Sequence, residues 1–526
     1  MQQAGKDQMS QTTASSEWQS AVVRRSLLEN VSPERAVIAI ILTASVIRIA
    51  LAAATGFSTD ESYTVANARI FALSYVDYPP LHAWLVGAWS WLWHSQAPVV
   101  LRLPFIALFA GSTWMMFRLA SFLFGARAGL WSALLFNLAP VFTLPHASWV
   151  LPDGPLTFFL LSGAFVTARL LFDEAEPSPS IAGWMLAGAL GGLAMLSKYH
   201  GAFLLAGTFV FLLSWKPGRR LLASPGPWLG ALAALVVFMP ALIWNAHHDW
   251  VGLFFQTKRL SGSSHLEFMR VFDSLGAQAL YLTPWLFVPL AYVWGRSLAR
   301  GPAMPQSWYL AMLASGPIIG FTAANIVARG LPHWPMPGWL FMFPILGAEA
   351  ARVAQIRPKL LASLTAAAAA TLIIVVAGFG IDAQNGWITN TLPVLAQSDP
   401  MIDLMNWDEL NAVISARHLL DKDTPAIAAT HWTEAGKLNY IMGRNVPVLC
   451  LCADPQEFRY TQDLERFKGR NILVVGAHRS LAEVDANLSG MFDRIVPLAP
   501  IMLHRAGKPV IELTVVRGLG LHGVEK

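Results

Sequence analysis

Apolar runs of near-membrane length recur along most of this chain, and a soluble core could not absorb so many of them. Approximate spans fall at 36–55, 102–121, 127–147, 155–172, 182–197, 200–214, 227–245, 276–295, 308–327, 334–351 and 360–380. Each is near the roughly 20 residues needed to cross hydrocarbon. The pattern predicts an α-helical polytopic membrane protein with about eleven transmembrane helices. Composition agrees: 55% of the 526 residues are hydrophobic and 13% are charged, with mean hydropathy +0.48. A soluble chain carries about 25% charged residues. The formal net charge of +5 is spread along the sequence. No clustered basic face forms, so nucleic acid is not expected as a partner.

Charge also assigns the sides. Residues 1–35 are polar, end in Arg24, Arg25 and Arg35, and lack the short apolar core of a cleaved signal. They read as a cytoplasmic tail. Arg118, Arg127, Lys216, Arg219, Arg220, Arg296, Arg300, Arg352, Arg357 and Lys359 fall on that same side when the spans alternate. The positive-inside rule makes that side cytoplasmic. The opposite side then receives 56–100, Asp153, the Lys198-Tyr199 junction, 246–275, Arg329 to His333 and everything after 380. The segment Leu81 to Trp93, rich in Trp, reads as a helix lying in the outer interface rather than as a span.

Beyond residue 380 the texture changes. Short apolar runs at Ala426–Thr430, Val446–Leu451, Ile472–Gly476 and Ile511–Val516 alternate with helix-compatible stretches at Glu434–Met442 and Leu481–Leu488. Three units are therefore expected: the tail, a membrane domain over 36–380, and an extracytoplasmic soluble α/β domain over 381–526. Cys450 and Cys452 lie in an apolar stretch and read as small buried hydrophobes.

The most costly residues are Asp60 and Glu61, side by side at the mouth of the first span. Ionisable groups at such depth are functional candidates by default. Asp60-Glu61-Ser62-Tyr63, then Asp77-Tyr78-Pro79-Pro80-Leu81, then Asp153 in Leu151-Pro152-Asp153-Gly154-Pro155, form an ordered set. With Gly192 to Tyr199 (GLAMLSKY) and Pro332-His333-Trp334-Pro335, this set resembles the GT-C superfamily of membrane glycosyltransferases. Within it the chain looks like the family 39-like members, related to protein O-mannosyltransferases and lipid A aminoarabinose transferases. The resemblance covers roughly residues 36–350. It implies a polyprenyl-phosphate-linked sugar donor, a glycolipid or protein acceptor, and transfer at the outer face of the cell inner membrane with inversion at the anomeric carbon. The chain departs from the aminoarabinose transferases at Asp77-Tyr78, where those carry a Lys before the Pro-Pro turn.

Such transfer needs a base for the acceptor hydroxyl, neutralisation of the leaving phosphate and lipid access to both. Asp60 is the expected general base, with Glu61 sharing the role or orienting the acceptor. Asp153 is expected to hold the acceptor or a sugar hydroxyl. Lys198, Lys258, Arg259, Arg329 and His333 are candidates for the phosphate. The resemblance adds Tyr63, Tyr78, Pro79 and Tyr199 as substrate-binding residues. No metal is expected: the side chains of His247 and His248 diverge, and spacing supplies no third ligand. No cofactor is expected either, because Gly518-Leu519-Gly520 opens no helix. The competing reading is a secondary transporter or lipid flippase, but the acids gather at helix mouths rather than at the bilayer midplane, and no repeat is visible.

Overall fold

The computed structural model describes residues 32–173, 180–260, 266–387, 391, 402–477 and 479–522. Most of the tail, and Glu174 to Glu176, lie outside the described residues. The protein is mostly helical, and among the described residues six helices are long and apolar enough to cross a membrane. They are Pro33–Ala54, Pro98–Phe124, Asp153–Phe172, Pro225–His247, Pro305–Ala324 and Pro358–Asn385. Two bent pairs raise the number to eight if each counts as one span: Ala126–Leu138 with Pro140–Ser148 at 79°, and Tyr199–Ser214 with Lys216–Leu222 at 115°.

The described residues thus give six to eight helices of that length where about eleven spans were expected, and backbone breaks account for the difference. Pro140 follows an extended Ala139 and cannot continue the preceding helix's hydrogen bonds. The run 276–295 is divided at Thr283, which adopts φ 68° ahead of Pro284. The run 334–351 is divided between Met336–Leu340 and Phe343–Ile356. Ile181–Ser197 stays apolar throughout but has only 17 residues. It packs closely on Pro225–His247: a Cβ at Gly188 would sit 1.8 Å from the Gly230 carbonyl oxygen, so only glycine permits this approach. The helix Leu81–Trp93 has 13 residues and ends on exposed Trp91 and Trp93.

Helix direction sorts the charges. The helices Pro98–Phe124 and Asp153–Phe172 carry Arg118 and Arg169 towards the ends away from Arg102 and Asp153, and Lys216 follows the far end of the helical run that starts at Tyr199. Arg296 and Arg352 both bind Glu349, Arg352 at 2.8 Å.

After the last long helix the chain forms a six-stranded mixed sheet in the order β2-β1-β3-β6-β4, with β5 also pairing β6. The strands are β1 (Ala426–Ala429), β2 (Val448–Cys450), β3 (Ile472–Ala477), β4 (Phe492–Pro497), β5 (Ile501–Arg505) and β6 (Lys508–Leu521). The three N-terminal strands run parallel through β1, and β6 pairs antiparallel with β3, β4 and β5. Gly518 to Gly520 lie inside β6. Cys450 is buried on β2, and both cysteines are free thiols.

One face of this sheet packs on the membrane domain through the short helix Thr59–Asn67. Tyr63 belongs to the same hydrophobic cluster as Trp407, Leu438, Phe458 and Leu473. The opposing helix Trp432–Met442 comes so near that a Cβ at Gly436 would lie 3.0 Å from Tyr63 Cα. Lys437 on that helix donates to the carbonyls of Phe57, Asp403 and Met405.

Candidate active site

The site is organised by the start of the helix Thr59–Asn67. Ser58 caps it, and Glu61 closes a capping box by accepting from Ser58 N at 2.9 Å. Glu61 then turns inward. Arg102 reaches it from Pro98–Phe124 with Nε–Oε1 at 2.8 Å and Nη2–Oε2 at 2.7 Å. Val150 N donates to Oε1 at 3.0 Å. Arg102 also donates to the carbonyls of Thr55 and Gly56. Glu61 is fully buried and accepts four hydrogen bonds, which leaves it no direction in which to touch an acceptor. This pairing contrasts with the expected direct contact between Glu61 and an acceptor: with Arg102 it holds the turn that also bears the preceding carboxylate.

That carboxylate is Asp60. Its side chain keeps solvent access while protein surrounds it, so it lies in a recess. This dense surrounding pushes its pKa up to about 6; Asp403 and Glu61 add to the rise, while Arg259 and Lys198 oppose it. Asp403 comes from the segment before the sheet and accepts from Thr59 N at 3.0 Å.

Asp153 and Lys198 form the second element of the site. Both are buried, and Lys198 Nζ lies 2.9 Å and 3.1 Å from the two carboxylate oxygens. His146 Nε2 stands 3.8 Å from Asp153 Oδ1 and is fixed by a 3.1 Å contact to Thr157. Lys198 also lies 5.8 Å from the centre of the Tyr78 ring. His333 faces the same pair from outside the spans; burial, then the Lys198 charge, push it down to about 3, so it is neutral. Pro79 is buried beside Tyr78 and holds the turn into Leu81–Trp93.

Arg259 lies at the end of the helix Val251–Leu260, over the Phe255 ring at 4.8 Å, and its charge reaches Asp60, Asp77 and Tyr78. The hydroxyl of Tyr199 crowds Gly252 on this helix, so Tyr199 supports it from beneath. Lys258 is exposed on the same helix. Arg329 is exposed as well and forms no ion pair among the described residues, so the geometry does not bring it into the cluster.

Tyr63, expected at the substrate, points the other way. Its hydroxyl donates to Asp77 and accepts from Glu457 N at 2.9 Å, and its ring meets Trp432 edge-on at 4.9 Å. Glu457 also accepts from Val76 N at 2.8 Å. Burial pushes Asp77 up to about 7 and Glu457 up to about 8. This group ties the sheet unit to the loop; it does not line the recess. Sequence reasoning missed Arg102, Asp403 and Glu457. Only Arg102 left a signal, as a lone charge at the head of an apolar run.

Among the described residues no group of three or more His, Cys, Asp or Glu is arranged to hold a metal ion. His248 stacks on Trp244 at 4.1 Å instead.

Comparison with known proteins adds three findings. The family described as dolichyl-phosphate-mannose-protein mannosyltransferase matches residues 77–244. The lipid A galacturonosyltransferase RgtD of Rhizobium johnstonii is 24% identical over 289 residues, 55% of this chain. The match spans 59% of that relative's length. The crystal structure of ArnT from Cupriavidus metallidurans bound to undecaprenyl phosphate superposes with a TM-score of 0.58 at 15% identity, covering 93% of this chain and 99% of that one. Its apo form gives the same values. These structural likenesses show a shared fold.

Proposed function

We propose that this chain, which belongs to the GT-C superfamily of membrane glycosyltransferases, moves a sugar from a polyprenyl-phosphate donor to a lipid or protein acceptor. The reaction takes place at the outer face of the cell inner membrane, with inversion. The observation that carries the reading is Asp60: an accessible carboxylate of raised pKa, in a recess that also receives the charges of Arg259 and Lys198.

The chemistry follows from that arrangement. The acceptor oxygen bonds to the anomeric carbon while the bond from that carbon to the phosphate oxygen breaks. Asp60 takes the proton as the new bond forms. The released polyprenyl phosphate keeps the electron pair, and Arg259 meets its added charge. Lys198 is held by Asp153. The pair acts together, Asp153 accepting from a sugar hydroxyl while Lys198 faces the phosphate across Tyr78. Attack opposite to the leaving phosphate inverts the anomeric centre. The family match and the curated relative both carry transferase names, which favours this reading over a secondary transporter or lipid flippase.

Purified full-length protein supplied with a polyprenyl-phosphate sugar and a lipid A acceptor should release polyprenyl phosphate without nucleotide sugar or divalent ion. A strict requirement for either would overturn the mechanism.

The sidedness rests on the helix directions, which carry the basic residues away from Asp60 and the sheet. A periplasmic-active reporter fused after Lys526 should be active, and a cytoplasmic-active one silent. The reverse pattern would put the site on the wrong face for this proposal.

A further inference from the structure

Cys450 and Cys452 stand at the end of β2, and they are the two cysteines of the chain. Neither enters the transfer chemistry. Their spacing puts both side chains on one face of an extended strand. Alternate residues of a strand lie about 6.6 Å apart at Cα, inside the usual disulfide limit of about 6.8 Å. The strand ends between them: Cys450 is its last residue, and Cys452 falls in a bend. The two side chains lean together, with Sγ–Sγ at 2.7 Å. An S–S bond is about 2.05 Å long, so closure needs only a small side-chain movement.

The surroundings make the two thiols unequal. Cys450 is 2% exposed, while Cys452 is half-buried and reaches solvent. With Cys450 as donor, the bond between them holds the Cys452 thiol below the ordinary cysteine range. Burial and the charges of Asp454 and Glu434 oppose that shift. The same bond, then burial, push Cys450 up. An accessible thiolate beside a buried, protonated thiol is the arrangement of an attacking and a resolving cysteine.

Position gives the pair its consequence. Residues 452–461 leave the sheet as an excursion, and Gln462 returns to its root. Gln462 Oε1 accepts from Cys450 N at 2.8 Å, and its Nε2 donates to the Cys450 carbonyl at 3.3 Å. The excursion grips the membrane half. Glu457 binds the Tyr63 hydroxyl and Val76 N, and Phe458 packs on the Tyr63 ring at 6.0 Å. Tyr460 meets the His248 ring edge-on at 5.5 Å.

We propose that Cys450 and Cys452 are a redox pair that closes to a disulfide by thiol–disulfide exchange outside the cytoplasm, and that closure clamps the root of this excursion. The compartment rests on the sidedness argued above; the chemistry does not. The co-reactant is a small or protein-borne disulfide, RSSR, as oxidising compartments supply. The Cys452 thiolate attacks one of its sulfurs and expels RS⁻. Cys450 gives up its proton and attacks Sγ of Cys452, expelling the second RS⁻. Two electrons pass to RSSR, and the two protons lost by the cysteines leave with two RSH.

The test uses the full-length chain in detergent, equilibrated with mixtures of reduced and oxidised glutathione, quenched in acid and alkylated after unfolding. Excess oxidised glutathione should remove both alkylation sites together, leave the chain lighter by two hydrogens and add no glutathione. Two alkylated thiols, a stable glutathione adduct or a covalent dimer would overturn the proposal. This result needs no variant. Cys450→Ser should trap glutathione on Cys452, and Cys452→Ser should leave Cys450 unmodified in the folded chain. The opposite pattern would overturn the order of attack. Amide exchange from Asp454 to Gln462 should be about tenfold slower in the oxidised chain than after reduction with dithiothreitol. Equal rates would remove the clamp. In cells quenched with acid, the pair should be closed. A reduced pair beside a periplasmic reporter signal would overturn oxidation in the cell. A cytoplasmic reporter signal would overturn the compartment, and the glutathione result would still decide the chemistry.

Discussion

Asp60→Asn should lower kcat/KM for sugar transfer by about 10²- to 10⁴-fold, the contribution expected of a positioned general base. The substitution keeps side-chain shape and removes only the proton acceptor. Thermal unfolding should change little, because Asp60 is solvent-accessible and the turn is held by Glu61 and Arg102. The wild-type pH profile supplies an independent check. With the carboxyl pushed up to about 6, the base is charged above that pH and protonated below it. Log kcat/KM should therefore fall with unit slope as pH drops below about 6 and level off above it. The Asn variant should lose that limb. Turnover within about tenfold of wild type, or an unaltered profile, would remove Asp60 from its role.

Arg102→Leu should destabilise the protein by about 3–5 kcal/mol, because it strands Glu61 as an unpaired buried charge. The loss is compounded at the Thr55 and Gly56 carbonyls, which also accept from this guanidinium. The change would be read as a lower unfolding temperature in detergent and a reduced folded yield. Arg102→Leu with Glu61→Leu should recover part of the loss, since two apolar side chains remove both charges together. The coupling comes from the four variants of a double-mutant cycle. An Arg102→Leu protein as stable as wild type would mean that the turn does not depend on this pair. Were Glu61 instead a base facing substrate, Glu61→Gln would abolish turnover with no loss of stability.

Much of this was legible from residue order, and the failures have physical causes. Asp60, Asp153 and Lys198 all stood out as charges at helix mouths, but the Asp153–Lys198 bond joins positions 45 residues apart. Hydropathy has no term for which helix mouths adjoin. Glu61 was expected to share the site with Asp60 because adjacent acids share a composition signal. Their helix directs one inward to Arg102 and the other to the recess. Tyr63 carried the family pattern, yet its hydroxyl serves Asp77 and Glu457. The runs at Ala426, Val448 and Ile472 marked strands through unbroken small and β-branched residues. β4 and β5 were missed because FDRIVP and IMLHR mix charge into short segments, as exposed strands do. The expected span count departs from the number of unbroken long helices where a single backbone angle, as at Thr283, divides an apolar run that hydropathy reads as continuous.

The contact between Gly436 and Tyr63 bears on how such chains could be recombined. A nine-residue helix has too few turns to hold its own shape in water. The helix bearing Asp60 therefore borrows its geometry from Trp432–Met442, through a seam where even a Cβ at 436 would press on the Tyr63 backbone at 3.0 Å. Grafting a sheet unit from a distant relative onto this membrane half would wedge the seam open wherever the donor has a larger residue there. The two halves must be inherited, or engineered, as a matched pair.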